Sequence, residues 1–78
     1  MSKHIDVDKF EAQHTNIQLI ESLGEGEWKI ELYLNQDTGN YYAKGPFARW
    51  DAICYVYLSK LKSPEDVPGW LEQMKKNM

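Results

Sequence analysis

Three side chains stand out as candidates for nucleophilic or metal chemistry: Cys54, His4 and His14. A reactive thiol needs an electropositive, partly exposed setting and a base to take its proton. Cys54 falls instead in a run with Trp50, Ile53, Tyr57, Leu58 and Leu61, where it reads as a small, buried hydrophobe. His4 and His14 lie among Asp6, Asp8 and Glu11, and imidazole with carboxylate is an ordinary ligand set. Their spacing matches no metal pattern, and Asp6-Val7-Asp8 lacks the ligand spacing and glycine of a calcium loop. The expectation is a polar arm with no metal and no cofactor.

Acid–base work by paired carboxylates needs a fixed separation and an apolar cleft. Glu25, Glu27, Glu31 and Asp37 fall in turns or on the wet side of a strand. Gly24-Glu25-Gly26 and Gly39 are not followed by Gly-Lys-Ser/Thr or by a helix start, so hairpin turns explain them better than a phosphate cradle. Nothing here assembles an enzyme.

The chemistry that remains is recognition. Lys29, Tyr33, Tyr42 and Lys44 share the outward side of two strands, with Arg49 close behind. Tyrosine is enriched in protein interfaces, and aromatics interleaved with cations also stack bases and neutralise phosphates. A third arrangement places the N-terminal arm or the Trp70 segment over that face as a second core. The protein interface, self-dimer included, is the favoured reading. Nucleic-acid binding through the same residues is the alternative, with acidic mimicry of a nucleic acid against its enzyme behind it.

The elements that must position these residues follow from periodicity. Residues 17–23 alternate as a strand, with Ile17, Leu19 and Leu23 on one face. Residues 28–35 alternate more cleanly: Trp28, Ile30, Leu32 and Leu34 inward, Lys29, Glu31, Tyr33 and Asn35 outward. A two-residue turn at Glu25-Gly26 would set Leu23 opposite Trp28, Leu19 opposite Leu32 and Ile17 opposite Leu34. After Asp37-Thr38-Gly39-Asn40, residues 41–44 form a third strand. Pairing Gln36 with Tyr41 turns Tyr41 and Ala43 inward and Tyr42 and Lys44 outward. Beyond Gly45-Pro46, the stripe of Trp50, Ile53, Cys54, Tyr57, Leu58 and Leu61 predicts a helix over about 48–61. Ser63-Pro64-Glu65-Asp66 starts a short terminal helix that Pro68-Gly69 should interrupt. Asp6 or Asp8 would cap one or two helical turns reaching about Gln13.

The fold class expected is α+β: a three-stranded antiparallel meander with one amphipathic helix on one face and short helical ends. Its 78 residues allow one domain, with an arm over 1–16, a core over 17–62 and a helical tail over 63–78. One cysteine leaves no intrachain disulfide, and the first residues carry no apolar run, so a cytoplasmic setting is expected. No stretch approaches a membrane span. Two lysines against six carboxylates give residues 1–27 a balance of −4, and five cations against three acids give residues 28–62 a balance of +2. The overall −3 lacks the footprint of a duplex-binding protein.

Overall fold

A computed structural model describes residues 4–77. Its elements are β1 (His4–Ile5), α1 (Val7–Gln13), β2 (Ile17–Leu23), β3 (Ile30–Asn35), β4 (Tyr41–Gly45), β5 (Cys54–Tyr57) and α2 (Val67–Asn77), with single 3₁₀ turns at 26–28, 49–51 and 64–66. The fold is α+β with an antiparallel sheet, but the sheet has five strands in the order β1-β5-β4-β3-β2. The three expected strands are its β2, β3 and β4.

The largest correction falls on residues 48–61. They form a 3₁₀ turn and the strand β5 rather than a helix. The stretch Cys54-Tyr55-Val56-Tyr57 fits two periods at once, because short apolar runs satisfy helix and strand templates equally. Its aromatic and β-branched residues favour a pleated surface, and an open place between β1 and β4 accepts it. Gly45 pairs with Cys54, Ala43 with Val56 and Tyr42 with Tyr57.

With that helix gone, α2 covers the Leu32 face. Leu32, Tyr41, Leu61 and Val67 form a buried cluster flanked by Leu34, Leu58, Trp70 and Leu71. Pro68 does not interrupt α2, because it lies in the first turn, where a missing N–H breaks no ladder bond. The preceding 3₁₀ turn feeds directly into the helix, and the Asp66 carboxylate accepts from the backbone N–H groups of Lys62 at 3.0 Å and Ser63 at 3.2 Å. These bonds hold the Asp66 carboxyl below its ordinary range, the Lys62 amide contributing most.

The opposite face is covered by α1. Asp6 caps this helix by accepting from the Lys9 N–H, as the sequence allows. Phe10 enters a second cluster with Tyr42 and Tyr55, flanked by Ile5, Val7, Ile17 and Tyr33. Phe10, Leu32 and Tyr55 are the largest fully buried side chains. Each contributes about 1.5–3 kcal/mol of burial, Leu32 on the α2 side and Phe10 and Tyr55 on the α1 side.

Both hairpin registers differ from the expected ones. Leu23 pairs with Ile30, and Leu34 with Tyr41. The second turn lengthens because the Oδ1 of buried Asn35 accepts from the Asp37 N–H at 2.9 Å, while Asn35 itself bonds across the loop to the Asn40 carbonyl. The faces survive this shift of two: Tyr41 and Ala43 stay beside Leu34 and Leu32. In β2 a bulge at Ile20 sets Leu19 opposite Tyr33 but Glu21 opposite Leu32. Ile17 and Leu19 therefore fall on the tyrosine face and Leu23 on the other, dividing a set the sequence placed together.

Candidate functional site

The tyrosine face is covered over Tyr42 and Tyr55, while Tyr33 is half-buried and Leu19 and Tyr57 on the same face stay exposed. Tyr42 is 7% exposed. Phe10 meets it edge-on at 4.8 Å, and His14 does the same at 5.2 Å. The Tyr55 hydroxyl donates to Glu11 at 3.1 Å, and Glu11 also pairs with the Lys44 ammonium at 3.7 Å. Lys44 lies 5.5 Å over the Tyr55 ring. Burial and the Glu11 carboxylate push the Tyr55 hydroxyl far above its usual range, and burial with Glu31 raises Tyr33. Of the five residues singled out for partner binding, Tyr33, Tyr42 and Lys44 are thus gathered beneath or beside α1. Lys29 is exposed and pairs with Glu31 at 3.9 Å; Arg49 is exposed on the 49–51 turn. Of the tyrosine platform expected from the alternation, Tyr42 is buried in a second core with Phe10 and Tyr55, and Tyr33 flanks that core half-buried.

The other candidates resolve simply. Cys54 is buried, and desolvation pushes its thiol up while the backbone amides of Phe47 and Ala48 pull the other way. His14 ends α1, its Nδ1 at 3.0 Å from the Phe10 carbonyl and its ring stacked on Phe10 at 4.1 Å. His4 lies in β1 opposite Val56. Among the described residues no three His, Cys, Asp or Glu side chains converge on a metal position. Nor is any described helix long and apolar enough to cross a membrane.

Three of the six exposed large hydrophobics among the described residues gather at one end of the sheet, the others being Leu19, Ile20 and Tyr57. Trp50 is 96% exposed, Trp28 59% and Ile53 47%. Together with Gly26, Glu27 and Asp51 they line an open cleft of about 660 Å³. A second cleft of about 520 Å³ is lined by Trp28, Ile30, Pro46, Phe47 and Asn77, so Trp28 is the wall between the two.

Local backbone explains why these side chains face water. Gly24 at φ 77° and Gly26 at φ 65° bend the chain into the 26–28 turn, which lifts Trp28 out of β3. Trp50 and Asp51 both adopt left-handed backbone, at φ 62° and φ 57°. For residues with a Cβ this costs roughly 1–3 kcal/mol each. A side chain as open as Trp50 recovers almost none of that cost through burial. Gly45 lets the Phe47 ring approach, since a Cβ there would meet it at 3.1 Å.

The sequence pattern placed Trp28, Trp50 and Ile53 in the core. The signals available were weak: two glycines around Glu25 imply a loop longer than two residues, and Asp51 tolerates left-handed backbone. Comparisons with protein-family models, curated proteins and solved structures find no match to this chain.

Proposed function

We propose that this chain is a small non-catalytic protein-interaction module, and that its working surface is the tryptophan end of the sheet rather than the tyrosine face. The observation that carries this is Trp50, held in water on left-handed backbone beside a cleft that Trp28 and Ile53 also line. Tryptophan is the residue most enriched in binding hot spots, and strained backbone persists where function retains it. Self-association remains part of the proposal, because β2, one of the two edge strands, exposes Leu19 and Ile20. The bulge at Ile20 disturbs that edge for strand pairing, which favours the tryptophan end. Nucleic-acid stacking on Tyr33 and Tyr42 would first require α1 to leave.

Site-specific photo-crosslinking in the native host tests this. A benzophenone amino acid in place of Trp50 is compared with the same residue in place of Glu72, which is exposed on α2. Discrete adducts from position 50 and not from 72 support the proposal; no adduct from 50, or the same adducts from both, overturns it.

A further inference from the structure

The two clefts that share Trp28 differ in charge. The first is lined by Trp28 and Trp50 and by the acidic residues Glu27 and Asp51, with no cationic residue among its lining. Lys29, next in the chain, is engaged with Glu31, and Arg49 is exposed but does not line the cleft. The second cleft has an almost wholly apolar wall of Trp28, Ile30, Pro46 and Phe47, closed by Asn77. An indole face attracts a cation through its quadrupole, and an adjacent carboxylate adds direct charge attraction.

We propose that the Glu27/Asp51 cleft receives a lysine or arginine side chain of a partner protein, with an apolar neighbour of that residue entering the Phe47 cleft. This rests on the tryptophan end being the working surface. Two adjoining clefts of opposite character suit a cationic residue beside an apolar one in a single chain. A free small cation would use only the first. The indole faces would hold the stem and the delocalised charge, while Glu27 and Asp51 accept the N–H groups.

The test is a titration of the ¹⁵N-labelled protein, following the three indole N–H signals. Its probes are acetyl-Lys-Leu-amide, acetyl-Arg-Leu-amide, the neutral acetyl-norleucine-Leu-amide and tetramethylammonium. The cationic peptides should shift Trp28 and Trp50 saturably and leave Trp70, which α2 packs against the Leu32 cluster, unmoved. They should bind about tenfold more tightly than the neutral peptide, an advantage that fades with added salt. Glu27→Gln with Asp51→Asn should bring the two within about twofold of each other, and Asn keeps the left-handed backbone at 51. Equal binding of the neutral peptide overturns the cation claim alone. Tetramethylammonium binding as tightly as the peptides overturns the protein origin of the cation. No saturable shift with any probe overturns the whole inference, whereas the working surface itself is judged separately by the crosslinks.

Discussion

Phe10 lies flat against Tyr55, their ring centroids 3.8 Å apart and their planes 15° from parallel. One residue of a seven-residue helix thereby closes the face that two strands present. Without Phe10, Tyr42 and Tyr55 would lose their cover on that side, and the tyrosines would form the exposed platform that the strand alternation suggests.

Phe10→Ala is therefore expected to cost about 3–5 kcal/mol, a large share of the stability of a domain this small. Urea unfolding followed by circular dichroism measures it. A loss below about 1 kcal/mol would mean that α1 is not the cover described here.

Trp50→Asn should be neutral or stabilising by up to about 1 kcal/mol, because Asn accepts left-handed backbone more readily. Trp50→Val should destabilise by roughly 1–2 kcal/mol, because a β-branched residue resists that conformation. Thermal unfolding of both variants separates backbone strain from side-chain packing, since Trp50 has almost no packing to lose.

Alkaline stability should depend on Tyr55. Its folded pKa lies above the ordinary value of 10.0, so its contribution is intact below that value and fades as pH rises past it. Absorbance at about 295 nm should show Tyr55 ionising only with unfolding, and Tyr33 ionising later than an ordinary tyrosine. Tyr55→Phe should weaken this alkaline dependence and leave the share that Tyr33 contributes.

Acid should loosen the start of α2. The Asp66 pKa is depressed below 3.8, so its contribution is present above that value and is lost as pH falls beneath it. The helical signal should drop over that range in the parent protein, with a flatter profile in Asp66→Asn.

Legibility in the sequence tracked local chemistry. The cap at Asp6, the shared face of Ile30 and Leu32 and the inward set Tyr41 and Ala43 depend on neighbours a few residues away, and the structure keeps them, whereas Asn35, expected on the wet side, is buried. The 54–57 strand was not legible, because one of its two partners, β1, comes from the other end of the chain and a helical stripe fits the same residues. The tryptophan end was hidden for a related reason. Hydrophobicity predicts burial, whereas Trp28 and Trp50 are directed outward by turns with left-handed backbone, announced by Gly24 and Gly26 in the first and only by Asp51 in the second.

Hydroxyl-radical footprinting, comparing the purified protein with the protein in its native host, addresses the working surface most directly. Trp28 and Trp50 should oxidise readily in the purified protein and be protected in the host, while Leu19 and Ile20 on β2 change little. Equal oxidation of both tryptophans in the two settings, or protection confined to residues 17–23, would contradict the assignment of the tryptophan end as the place where this protein meets its partner.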